Sequence, residues 1–194
     1  PDLLPADIIG TKVWRGNRFE FVRGPIFTNV LLADEINRSP PKTQAALLEA
    51  MEEKQVTVEG ETFKLEAPFF VMATQNPIEQ EGTYPLPEAQ MDRFLLRIRP
   101  GYPEDVEEEV EILRRRMSWK KDDPTDDLWP VVSIEEFREM QKAVENIYVD
   151  ESVLRYISEL VRATRNHEMV ELGSSPRGGL ALLKLSRALA AMDG

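Results

Sequence analysis

The stretch Val30-Leu31-Leu32-Ala33-Asp34-Glu35 decides the fold. The apolar run Val30 to Ala33 has the length of a strand, and a strand apolar on both faces is usually buried in a parallel sheet. The run ends in two acids. In open α/β sheets, ligands bind outside the carboxyl ends of the strands. Phosphoryl transfer needs a magnesium ion, often held by an Asp at a strand end, and a group that orients the attacking water. Asp34 suits the first role and Glu35 the second. On this pattern alone, an ordinary strand followed by an acidic loop would read the same way.

Three further positions bear on that choice. The spacing predicts a second buried strand over 69–74, followed by Gln75-Asn76-Pro77. Adjacent parallel strands would set Asn76 beside Glu35, where a neutral amide could hold water against a terminal phosphate. The competing reading is that Asn-Pro is a turn former. Arg93 precedes a third, shorter strand expected over 94–98. It could stabilise transition-state charge on a neighbour's nucleotide, or simply pair with Asp92 or Glu88. Arg177 falls in the first turn of the last helix, where a cation opposes the helix dipole. Contact with a phosphate would explain it; a solvated surface arginine is the alternative.

The rest of the chain divides at about residue 100. Residues 1–100 read as an α/β region. Gly16-Asn17 predicts a hairpin over 11–21, and Gly60 a second over 55–65. A helix is expected over 39–53, capped by Ser39, with Leu47, Leu48 and Met51 on its apolar face. Residues 101–194 read as successive helices. The first covers 103–117 with Val106, Val110, Leu113 and Met117 at helical spacing. Ser133 and Glu136 form a capping box for the next. A third spans 151–164 with Leu154, Ile157 and Val161 inward, and Ser175-Pro176 opens the last.

Composition narrows the function further. The net charge of −11 is the wrong sign for a nucleic-acid binder, which needs Lys and Arg to neutralise phosphates. Much of the acid lies between Glu104 and Glu111 and reads as a solvated helix face. No apolar run approaches the roughly 20 residues of a membrane span. The chain contains no cysteine, which excludes disulfides and thiolate metal sites and fits a cytoplasmic protein. Its one histidine, His167, reads as a polar residue near a helix end. The chain starts with Pro1 and shows no leader, so a truncated N-terminus is expected.

Taken together, Gly24-Pro25-Ile26-Phe27, the 31–38 run Leu-Leu-Ala-Asp-Glu-Ile-Asn-Arg, Ala73 to Pro77, and Gly82 to Phe94 resemble the MoxR branch of the AAA+ ATPases. Ser175-Pro176-Arg177 resembles that family's lid motif. The resemblance implies a partial P-loop core over 1–100, a parallel sheet with helices and hairpin inserts, and an all-α lid over 101–194. It implies that Asp34 and Glu35 are the Walker B pair, with Asp34 on Mg2+. It further implies that Asn76 is sensor 1, Arg93 the arginine finger and Arg177 sensor 2. ATP and Mg2+ would be the cofactors. A homo-oligomeric ring, expected as a hexamer, would act on a protein client such as a von Willebrand factor A domain protein. No Gly-x-x-x-x-Gly-Lys-Ser/Thr phosphate loop occurs in the chain. The expectation is therefore that these residues alone bind nucleotide weakly or not at all. A non-catalytic relative that uses the same fold as a scaffold stays open as an alternative.

Overall fold

A computed structural model describes residues 3–76, 83–123 and 125–194. Pro77 and Gly82, each part of a stretch quoted above, lie outside them. The chain forms two compact units. One comprises residues 1–95 and 149–186, the other residues 96–148 and 187–194.

The first unit opens with α1 (Pro5–Ile9), which the sequence did not announce, and then a hairpin of β1 (Gly10–Arg15) and β2 (Arg18–Arg23). Trp14 pairs with Phe19 across it, their rings edge to face at 4.8 Å. Gly16 takes a left-handed φ of 61° at the turn, as the Gly16-Asn17 pair predicts. β3 (Val30–Ala33) pairs in parallel with β6 (Phe70–Ala73), with Val30 opposite Phe70 and Ala33 opposite Ala73. Between them run α2 (Pro41–Glu53) and a second hairpin, β4 (Gln55–Val58) and β5 (Glu61–Lys64). Glu59 and Gly60 both turn through positive φ, 50° and 81°, as a two-residue hairpin loop requires. After β6 come a short α3 (Glu88–Met91) and, much later, α6 (Glu151–Arg165) and the larger part of α7 (Pro176–Asp193).

The core gathers Ile26, Ile36, Leu47, Leu48, Ala50, Val56, Leu65, Phe69 and Leu86, with Leu31, Ala33, Val71 and Ala73 packed against it. Ile26 is fully buried. The Gly24 that leads its segment has a steric reason: a Cβ there would stand 2.2 Å from the Ile8 carbonyl oxygen. Backbone approaches this close admit only glycine.

The structure corrects four expectations in this unit. β3 is not buried on both faces. Val30 and Leu32 are 58% and 60% exposed, and their neighbours Phe70 and Met72 are 51% and 48% exposed. Side chains alternate along a strand, so one face of the β3–β6 pair meets the core and the other is an open apolar surface. Ser39 does not cap α2: it ends a 3-10 turn over Ile36–Arg38, and Pro40 takes the cap position with Pro41 as first helical residue. No strand forms over 94–98, where Leu95, Leu96 and Ile98 are exposed and pair with no described strand. A strand needs a ladder partner, and propensity alone does not supply one. In α6, Ile157 and Val161 are buried as expected, while Leu154 stays 37% exposed.

The second unit holds α4 (Val106–Trp119), α5 (Ile134–Glu145) and the end of α7, where Arg187 pairs with Glu145 at 3.1 Å. Asp105 caps α4 by accepting the Glu108 amide hydrogen. The Ser133–Glu136 capping box forms as the spacing predicts. Along α4 and α5, Val106, Leu113, Met117, Phe137 and Met140 are exposed, while Val110 and Val144 are half-buried. Glu107, Glu108 and Glu109 lie exposed in the first turn of α4, consistent with a solvated acidic face. No described helix is long and apolar enough to cross a membrane.

Candidate functional site

Parallel pairing of β3 with β6 delivers both strand ends to one edge. There the Thr74 hydroxyl donates to Asp34 Oδ1 at 2.5 Å and accepts the Glu35 amide hydrogen at 2.8 Å. Backbone bonds carry the pairing past both strand ends: Thr74 N donates to the Ala33 carbonyl and Ile36 N to the Thr74 carbonyl, both at 3.0 Å.

Glu35 itself is left-handed, with φ 48° and ψ 48°. A non-glycine residue adopts this conformation at some cost and mostly in turns or at functional positions. The turn aims its carboxylate at two donors. Asn76 Nδ2 donates to Oε1 at 3.1 Å, and Arg38 donates to Oε2 at 2.8 Å. The Asn76 hydrogen bond, first, and the Arg38 contact, second, hold the Glu35 carboxyl below its ordinary value of 4.5. Hydrogen bonds to the charged form favour that form. Asn76 thus stands beside Glu35, as parallel pairing predicts.

Asn37 is a residue that sequence reasoning missed. Its side chain is buried and makes a reciprocal pair with the Asn76 backbone: Oδ1 accepts from Asn76 N at 3.1 Å, and Nδ2 donates to Asn76 O at 3.0 Å. It thereby fixes the chain that carries the Asn76 amide. Its place in the quoted 31–38 run was the available signal. Gln44, buried on α2, reinforces the same corner, donating to the Ile36 and Tyr84 carbonyls at 3.0 and 2.9 Å.

Arg93 and Arg177 gather in a second cluster. Both donate to the carboxylate of Glu52 near the end of α2, Arg93 to Oε2 and Arg177 to Oε1. Arg177 also lies 4.0 Å from Asp92. Ser175 Oγ donates to Asp92 Oδ2 at 2.8 Å and accepts the Arg177 amide hydrogen at 3.0 Å. The partner expected for Arg93 as a simple ion pair was Asp92 or Glu88; it is Glu52. The cation in the first turn of α7 is accounted for by these two acids. An open cleft of about 480 Å³ borders Glu52, Gln90 and Arg93.

His167 lies two residues beyond α6, and its Nδ1 accepts the Met169 amide hydrogen at 3.2 Å. The described residues contain no group of three acidic or histidine side chains placed to hold a metal. Magnesium seldom needs one. It is commonly bound through one or two carboxylates, with water and substrate phosphates completing the shell. Asp34 fits that mode.

Comparison with known proteins identifies the family. The model of the ATPase family associated with various cellular activities matches residues 1–96, and that of the AAA lid domain matches residues 162–194. The chain is 53% identical over 192 residues to the uncharacterised protein YeaC of Bacillus subtilis, covering 98% of this chain and 59% of that protein. It is 43% identical to the chaperone MoxR1 of Mycobacterium tuberculosis, covering 100% of this chain and 53% of that one. A crystal structure from Cytophaga hutchinsonii, provisionally named an ATPase, superposes with a TM-score of 0.84 at 44% identity, covering 100% of this chain and 61% of that one. The chain thus spans little more than half the length of these relatives. With both its core and its lid matched, the chain belongs to the MoxR branch of the AAA+ ATPases.

Proposed function

We propose that the protein containing this chain hydrolyses ATP and uses the energy to remodel or mature partner proteins. The observation that carries this is the setting of Glu35: a carboxylate at a strand end, oriented by Asn76 and kept ionised. An ionised carboxylate can take a proton from attacking water, and Asn76 can position that water. Asp34 would hold Mg2+, which supplies charge neutralisation at the phosphates. Arg93 would act as the arginine finger on a neighbour's nucleotide and Arg177 as sensor 2. That arrangement calls for a homo-oligomeric ring, and a hexamer is our proposal. The division into a core over 1–100 and a lid over 101–194 belongs to the same reading, as does a cytoplasmic location. The name of the chaperone MoxR1 supports a protein client, and a von Willebrand factor A domain protein is the client class we propose to try first.

The test is Glu35→Gln in the full-length protein. Nucleotide affinity should persist while phosphate release falls about 100-fold or more, the usual worth of a general base. Unchanged turnover would remove Glu35 from the mechanism and with it the proposed activity of this site.

A further inference from the structure

Glu52 has no role in the mechanism above, yet it binds both arginines that the mechanism uses. It lies 41 residues from Arg93 and 125 from Arg177 in sequence. Two guanidinium groups brought this close repel one another unless an anion lies between them. Each side chain is also long and flexible, so a defined position must be imposed from outside. One carboxylate does both, with one oxygen for each arginine.

Its hold leaves capacity to spare. A guanidinium carries five N–H donors. Glu52 engages Nη1 of Arg93 and Nη2 of Arg177, and the two side chains remain 33% and 48% exposed. Asp92 also lies 4.0 Å from Arg177 and is itself held by Ser175. One carboxylate thus holds both guanidiniums, and each side chain keeps exposed surface and further donors, as a receptor for phosphate oxygens requires.

We propose that Glu52 is the positioning residue for Arg93 and Arg177, gathering them into one preorganised pair for a nucleotide phosphate. This rests on the phosphate roles proposed for the two arginines. Glu52 touches no substrate and acts only through them.

The experiment uses the full-length protein with E52A, E52Q, R93A and R177A, and with E52A added to the R93A/R177A double variant. Phosphate release is resolved into kcat and KM, and thermal unfolding is followed in parallel. Misplacing a catalytic group costs about 100-fold, so E52A should lower kcat by about that factor with little change in KM. E52Q, whose amide oxygen still accepts a hydrogen bond, should recover part of the loss. In the R93A/R177A background E52A should cost nothing further. Wild-type kcat in E52A, with R93A and R177A both impaired, would overturn the positioning role and leave the proposed function standing. A full additional E52A loss in the double-arginine background would also overturn it. Full turnover in R93A and R177A would instead refute the arginine roles and the inference with them. The unfolding midpoints read the contact apart from activity: E52A and R177A shifts should be less than additive, and strict additivity would show that Glu52 does not hold Arg177.

Discussion

Asn76 donates its side-chain amide to Glu35 at 3.1 Å, across two parallel strands and 41 residues of sequence. This bond ties the orientation of the Glu35 carboxylate to the loop after β6. It is also the largest cause of the low Glu35 pKa.

The sign of the pH effect follows from that. The Asn76 hydrogen bond and the Arg38 contact hold the folded Glu35 carboxyl below its ordinary range. Its favourable contacts are present above the unfolded pKa and are lost as pH falls through the folded one. Asn76→Ala should raise the Glu35 pKa, and Arg38→Ala should raise it less, in a carbon-13 titration of the carboxyl signal. An unmoved Glu35 in Asn76→Ala would mean that the amide does not control its ionisation.

Asn37→Ala removes a buried side chain that satisfies both the amide and the carbonyl of Asn76. Leaving such groups unpaired costs about 1–3 kcal/mol. Denaturant unfolding should show that loss, and phosphate release should fall as well because the Asn76 amide loses its anchor. Stability lost with turnover intact would confine Asn37 to a structural role.

Mixing Arg93→Ala protein with Glu35→Gln protein tests whether the arginine works across an interface. Each variant alone should be strongly impaired. Mixed rings should regain measurable phosphate release, because some interfaces then combine an intact Arg93 with an intact Glu35. Mixed assemblies as inactive as their parents would return Arg93 to a purely internal ion pair with Glu52.

Ile26→Ala tests the core on which both strands rest. Ile26 has no exposed surface and belongs to the cluster beneath β3 and β6. Truncating a buried isoleucine costs about 2–5 kcal/mol. A change under 1 kcal/mol in equilibrium unfolding would show that the site collapses around the cavity.

What the sequence disclosed was mostly local. An apolar run bounded by acids marked β3 to the residue. Gly16 and Gly60 marked two hairpins because only particular residues accept positive φ. Ser133 and Glu136 marked a helix start by their spacing. The failures came where the answer lay elsewhere in the chain. Ser39 has the chemistry of a cap, but the Ile36–Arg38 turn claims it first. Residues 94–98 have the composition of a strand and no described ladder to join. Asp34, Glu35 and Asn76 could be brought together by reasoning because parallel pairing is a simple rule. Glu52 could not, since nothing near it in sequence names Arg93 or Arg177 as partners.

The left-handed backbone of Glu35 sets function against durability at one residue. A β-carbon in that conformation costs about 1–2 kcal/mol relative to the right-handed region. Glycine would feel no such penalty, so Glu35→Gly, although it also discards the contacts to Asn76 and Arg38, would relieve the turn while erasing its chemistry. Lys54, Glu59 and Lys120 share the positive φ at helix ends and a hairpin turn, and what sets Glu35 apart is that its turn delivers a carboxylate to Asn76 and Arg38.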